Sequence, residues 1–328
     1  MSTAGTVDSD RLPGRGAKWR PTPGESSASS YLRHKKPLSG RSGLLMVLPV
    51  QILFLVFFLL PFGYALYISL TSPQTGGFEG LQNFRFAIHS ATFWHSIGRV
   101  AYFGVVQVTA MVVIGLVLAF LIDSPLVVGK RIFRLAYFMP YAVPGVLAAI
   151  MWGFLFSPTL NSLLRIPVHL GLTHHALNPL SSSFILYAIM LIVTWEFTGY
   201  NMTLYLTSLA SIPQSMLDAA AIDGCGQVRL VRHIKLPLIR RMIMFTLVLS
   251  IIGTLQLFNE PEVLSSMSTI PVDYTPNMSI YNEAFSIGNV PLASAMSLLL
   301  GAVTVGASLI FYVLWRRMGR SRSTGVAR

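Results

Sequence analysis

Six stretches of more than twenty mostly apolar residues, at about 43–70, 96–122, 132–156, 183–208, 242–263 and 291–315, recur along this chain of 328 residues. A bilayer core near 30 Å needs roughly twenty apolar residues as helix. In lipid only a helix or a closed barrel satisfies its own backbone groups. The expected fold is an all-α integral membrane protein with six transmembrane helices. Composition agrees, because 53% hydrophobic against 11% charged residues is more apolar surface than a soluble core of this size could hide.

The formal net charge of +12 would suggest a nucleic-acid partner if it were spread over a globular surface. It is not spread. Twenty-one of the 24 Lys and Arg residues lie before the first run, at Lys130, Arg131 and Arg134, between Arg229 and Arg241, or from Arg316 onward. Only Arg85, Arg99 and Arg165 lie on the opposite side of the map. By the positive-inside rule both termini and the 209–241 loop face the cytoplasm, and nucleic acid is not an expected partner. The segment after the fifth run carries Glu260, Glu262, Asp273 and Glu283 without Lys or Arg, as an external segment would. Residues 1–42 read as a disordered basic tail and 316–328 as a second basic tail, flanking a membrane domain over 43–315. The first apolar run is long enough to span, so it reads as a retained helix and not as a signal peptide. One cysteine, Cys225, excludes an intramolecular disulfide and any multi-cysteine metal site.

The 209–241 loop is long, basic and half apolar. Ser211-Ile212-Pro213-Gln214 has capping-box spacing, which predicts a short helix whose first turn tolerates Pro213. Met216, Leu217, Ala220 and Ala221 continue at helical spacing, and Gly224 and Gly226 supply the backbone freedom for a turn near Cys225. A second short helix is expected next, ending where Pro237 breaks or redirects it. Two readings of this helix–turn–helix are open. One is a connector with an interfacial amphipathic helix and a basic flank for lipid headgroups. The other is a docking element, favoured by Ala219-Ala220-Ala221, which leaves a helix face without bulky side chains for another protein to approach.

Here the residues resemble a family. Asp218-Ala219-Ala220, Gly224 and Ile234-x-Leu236-Pro237 are similar in kind and spacing to the EAA signature of ABC-importer permeases. Ala210-Ser211-Ile212-Pro213 and Ala221-Ile222-Asp223-Gly224 are similar to the carbohydrate branch. So are Leu48-Pro49, Pro61-x-x-Tyr64-Ala65-Leu66-Tyr67-x-Ser69-Leu70, Phe138-Met139-Pro140 with Pro144, and Asn282-Glu283-Ala284-Phe285. The resemblance covers roughly residues 40–318 and implies a permease subunit of the maltose-transporter type. Its implied partners are a second permease forming a heterodimer, two ATP-binding subunits docking on 209–241, an extracytoplasmic solute-binding protein, a sugar substrate and membrane lipid. It implies a bacterial inner-membrane location. Asp218, Ala219, Ala220, Asp223, Gly224, Arg229, Leu236 and Pro237 are the implied coupling residues. The chain departs from the family pattern in three places. Asp218 stands for the usual Glu, the Met267–Pro276 region replaces a Gly-Gly-Pro, and Leu230 or Val231 takes the place of a bulky aromatic.

Energy and substrate follow. Gly129-Lys130-Arg131 lacks the first glycine and the hydroxyl of a Walker A loop, so no cofactor is expected in this chain, and ATP with Mg belongs to partner subunits. The chain reads as a transport subunit and not an enzyme, swung between outward-open and inward-open packings by ATP-driven movement of the docked loop. Polar side chains inside spans are costly unless they face a cavity or a partner. Trp195, Glu196, Tyr200 and Asn201 in the fourth span, and Gln256, Asn259 and Glu260 in the fifth, are the substrate candidates. Aromatic faces beside carboxylate and amide groups suit a sugar, whose C–H faces stack while its hydroxyls need donors and acceptors. The competing reading makes Glu196 a structural partner for another subunit and Asn259 or Glu260 an interface marker. Family resemblance favours the fifth span, with Glu260 foremost. Pro140, Pro144 and Gly145 would interrupt the third helix, chiefly as a structural kink. His174-His175, without a third ligand, reads as solvated and not as a metal site. An alternative class, a secondary transporter or channel for a polar solute, would need internal repeats, and none is convincing.

Overall fold

The computed structural model describes residues 40–166, 170–171 and 177–321. Most of the two expected tails lies outside these residues, as do His174 and His175. Among the described residues the only strand-like pairing is one isolated bridge between Thr71 and Phe78.

The described residues up to Phe62 belong to one unit and those from Gly63 on to another. The first holds α1 (Gly40–Phe54), a π turn (Leu55–Leu59) and the first residues of α2 (Leu60–Ser69), whose remainder belongs to the second. The second unit contains α3 (Gln82–His89), α4 (Ala91–Asp123), α5 (Lys130–Phe138) and, after a 3₁₀ turn, α6 (Gly145–Phe156). Then come α7 (Ile185–Ala210), α8 (Gln214–Ile222) and α9 (Gln227–Leu230), which runs through a π turn (Val231–Lys235) into α10 (Leu236–Leu255). The chain closes with α11 (Asn259–Ser265), α12 (Pro276–Tyr281), a π turn (Asn282–Ser286) and α13 (Val290–Ser321).

Between helices in lipid there is little hydrophobic drive, so close van der Waals packing and small residues decide which faces meet. The α4–α7 pair at the centre illustrates this. A side chain at Gly115 would press on the Met202 backbone and the Tyr205 ring, so its absence lets the two helices close on each other. Gly199 of α7 is tighter still, since an added Cβ would overlap the Tyr137 carbonyl at the end of α5. One buried cluster, with Phe103, Ile189, Ile192 and Leu264, surrounds the outer-numbered end of α10, and a second, with Ala119, Ile122, Tyr205 and Ile239, holds its beginning.

Length and apolarity alone pick out four spans among the described residues, Leu45–Ser69, Ala91–Asp123, Gln227–Ser265 and Val290–Arg317. The pair α5–α6, bent by 97°, supplies a fifth. The expected fourth span, α7, falls short of that apolarity although it has 26 residues. The reason is its place in the bundle. Glu196, Thr198, Asn201 and Tyr205 are among its buried residues, so much of α7 faces protein where a lipid-exposed helix would need apolar groups.

Three local expectations are settled by backbone geometry. Pro140, Pro144 and Gly145 do interrupt the third span, and the bend of 97° lies there. Ser211 does not cap α8: its hydroxyl donates back to the Ser208 carbonyl at 2.7 Å, while Pro213 precedes the first helical residue and Gln214 Nε2 donates to Asp218 at 2.9 Å. Pro237 does not end a second short helix either. The helix runs on from Gln227, because the π turn just before Pro237 widens the backbone where the ring would otherwise strike the preceding turn.

Candidate functional site

Two interrupted helices meet beside one cavity, and one of them lines it. α10 ends at Leu255, the chain is irregular at Gln256-Leu257-Phe258, and helix resumes at Asn259. The other interruption, at Pro144-Gly145, abuts this one: a Cβ on Gly145 would come to 2.5 Å from Glu260 Oε1 and 3.7 Å from Asn259 Cβ. A side chain there would displace the Glu260 carboxyl from its present position. Broken helices at membrane depth are tolerated where the irregular backbone lines a cavity or is buried in protein.

The cavity beside this junction has a volume of about 330 Å³. α4 contributes Phe103, Gln107 and Met111, and α7 contributes Val193, Phe197, Tyr200 and Asn201, which recur at helical spacing on one face. α10 adds Thr246, Ser250 and Thr254, and the break with α11 adds Gln256, Phe258, Asn259 and Glu260. No Lys, Arg or His is among the lining residues. The aromatic wall is braced from behind, since Tyr141 in the 3₁₀ turn stacks on Tyr200 at 4.7 Å and meets Phe197 edge-on at 5.8 Å. At one edge Tyr205 hydroxyl donates to Thr246 Oγ1 at 2.7 Å, whose own proton goes to the Ile243 carbonyl. Asn201 donates its amide to the Phe197 carbonyl at 3.0 Å, which leaves its oxygen as an acceptor.

Of the sequence-derived candidates, Gln256, Asn259, Glu260, Tyr200 and Asn201 line this cavity together. Glu196 and Trp195 do not. Glu196 is 3% exposed, faces Glu260, and has no hydrogen-bond partner for Oε2. Trp195 lines a second, more apolar cavity of about 580 Å³ between α4, α5 and α7 and meets Trp152 edge-on at 5.6 Å. Helical geometry turns Trp195 away, since five residues separate it from Tyr200 by about 140°, whereas Glu196 is only about 40° from Tyr200 and is withdrawn to Glu260. Gln107 was missed from the sequence although a lone amide inside an apolar run is the same signal that picked out Asn201. Thr246, Ser250 and Thr254 carried no such signal, because hydroxyls within a helix can satisfy themselves on the preceding turn.

The segment between α7 and α10 is a separate feature. α8 closes with Gly224 at φ +70°, Cys225 N–H donating to the Ala220 carbonyl and Gly224 N–H to that of Ala221, the double bond pattern of a glycine-terminated helix. Asp218, Ala219, Asp223, Gly224 and Arg229 are exposed, Ala220 is buried, Leu236 is half-buried and Pro237 exposed. Ile222 and Val228, at 87% and 82% exposure, flank the turn. Large apolar groups so placed at a protruding tip favour a protein partner.

The comparisons with known proteins agree on one relationship. The family model described as "Binding-protein-dependent transport system inner membrane component" matches residues 111–321. The sn-glycerol-3-phosphate transport system permease protein UgpA of Yersinia enterocolitica is 32% identical over 274 residues, covering 81% of this chain and 91% of that one. Its Pectobacterium atrosepticum counterpart is 30% identical over 273 residues, covering 81% and 90%. Among solved structures, a chain of a bacterial ABC transporter involved in import of the acidic polysaccharide alginate has a similar fold, with a TM-score of 0.73 at 20% identity over 85% of this chain and 96% of that one.

Proposed function

The chain belongs to the family of binding-protein-dependent transport system inner membrane components, and from that premise we propose that it is the permease subunit through which an ABC importer passes a neutral, polyhydroxylated solute of the sugar class. The observation that carries the substrate reading is the lining of the cavity: aromatic faces, amides and hydroxyls around Glu260, with no cationic side chain among them. A phosphate ester such as the one named for the UgpA relatives would find no cationic side chain among the described lining residues, and next to the Glu260 carboxyl it would meet like charge. A sugar would stack a C–H face on Tyr200 or Phe258 and share hydroxyl bonds with Asn201, Gln256 and Asn259.

In this reading the α8–α9 segment lies in the cytoplasm of a bacterial cell, as do both termini, on the strength of the distribution of basic residues. Asp218, Ala219, Ala220, Asp223, Gly224, Arg229, Leu236 and Pro237 form or position the coupling element. A partner ATPase pair holds ATP and Mg and docks over Ile222, the Gly224 turn and Val228. A second permease completes the pathway, and an extracytoplasmic binding protein delivers the solute to the opposite face.

The test is purification of the tagged chain in mild detergent, identification of its companions, and reconstitution with the cognate binding protein. ATP hydrolysis stimulated by the binding protein loaded with a neutral sugar, and not with sn-glycerol-3-phosphate, is the expected result. Stimulation by the phosphate ester alone would reject the substrate class. A chain that purifies alone and supports flux without ATP would reject the importer assignment.

A further inference from the structure

We propose that the Asp123–Lys235 ion pair is the strut that carries displacement of the coupling segment into the cavity walls, a positioning role that rests on the importer reading above. Lys235 closes the π turn between that segment and α10, is 8% exposed, and places Nζ 2.5 Å from Oδ2 of Asp123, the last residue of α4. It is the only ion pair among the described residues. Lys130, at the start of α5, donates Nζ to the Asp123 carbonyl at 3.1 Å. The negative end of the α4 dipole therefore gathers ammonium groups from two later elements.

What makes the pair mechanical is what its two helices carry. α4 runs unbroken from Ala91 to Asp123 and brings Gln107 and Met111 to the cavity. At about 1.5 Å rise per residue the ion pair lies roughly 24 Å along the helix from Gln107. α10 runs unbroken from Lys235's neighbour Leu236 to Leu255 and brings Thr246, Ser250 and Thr254 to the same cavity. Near their shared end the two helices otherwise touch through Ala119, Ile122 and Ile239, apolar contacts that resist separation but not sliding. With the Lys235 side chain 10% and the Asp123 side chain 28% exposed, the partly desolvated ion pair is directional, and it fixes the axial register of α10 on α4. A push on the segment then moves two walls of the cavity as one body.

The experiment compares solute imported per ATP hydrolysed, together with thermal stability, in the complete reconstituted importer carrying Asp123→Asn, Lys235→Met, or the exchange Asp123→Lys with Lys235→Asp. Each single variant is expected to keep hydrolysing ATP while the import ratio falls roughly tenfold, and the exchange is expected to recover most of it. Single variants that melt lower but keep the wild-type ratio overturn the strut and leave a merely structural pair. If the single variants fail to assemble, the exchange decides: recovery of import supports the strut, and an assembled exchange variant that hydrolyses ATP without import overturns it. A wild-type complex whose import does not depend on ATP rejects the importer reading itself, and the strut with it.

Discussion

At the tip of the projecting segment the chain reverses within a few consecutive residues around Gly224, each bonded to a near neighbour in sequence. Around the two cavities the decisive contacts, Gly145 against Glu260, Tyr141 on Tyr200 and Gly199 under the Tyr137 carbonyl, join residues from different spans. The first region is specified locally and left exposed, and the second exists only when the bundle has closed. This division suits an importer permease. In the function proposed above, the segment that meets a partner holds its shape by its own turn chemistry, and the cavity that takes the solute is made of parts able to move relative to one another.

The sharpest way to break this contrast is to attack the closure of the bundle. Gly199→Leu should prevent α7 from seating on α5 and cost more than the 1–3 kcal/mol (about) typical of an overpacked core, because backbone stands in the way. Loss of folded protein in detergent, followed by gel filtration, is the expected result, and a normally melting variant would contradict the packing. Next in size is Gly224→Val, which places a β-branched residue at φ +70° and costs roughly 1–3 kcal/mol locally. Import and sugar-stimulated ATP hydrolysis should both be lost, while the helices still insert and the melting temperature stays near wild type. Wild-type coupling would remove the segment from its role.

A substitution inside the cavity should show the reverse pattern. Glu260→Leu is expected to raise the half-saturating solute concentration by roughly tenfold, about 1.4 kcal/mol, while ATPase partners still copurify. Gln107→Leu should do the same more weakly, by about threefold, since its amide bonds only to the Met111 sulfur at 3.6 Å and one hydrogen bond to solute is at stake. Smallest of all is Pro237→Ala. The helix is already continuous there, so stability should change by less than about 0.5 kcal/mol, and losing a ring that only positions the coupling element should lower coupling slightly. A large loss would mean that the ring itself touches a partner.

The same contrast explains what could be read from the sequence. The apolar runs, the turn at Gly224 and the interruption at Pro140–Gly145 rest on local chemistry and were legible. That Asn201, Gln256, Asn259 and Glu260 face protein and not lipid was legible too, because an amide or carboxyl within an apolar run advertises such a position. The remaining features depend on neighbours that a single run does not reveal. Ser211 found the Ser208 carbonyl in place of a cap, a choice set by where α7 ends. Trp195 and Glu196 adjoin Tyr200 in sequence, yet the packing of α5 and α11 on α7 assigns Trp195 to the second cavity and Glu196 to Glu260. The π turn that carries the helix past Pro237 has no compositional mark at all.

That π turn has a consequence of phase. It holds one residue more than an α-helical turn would use, and a residue corresponds to about 100° of rotation. Because the wider turn absorbs that rotation, removing one residue between Val231 and Lys235 would let the same turn close as ordinary α-helix, and the Gly224 tip would keep its bearing about the α10 axis while Thr246, Ser250 and Thr254 stay where they are. The extra residue is therefore slack in the helix, a spacer that sets where the sequence falls between the exposed tip and the cavity wall without turning either end against the other.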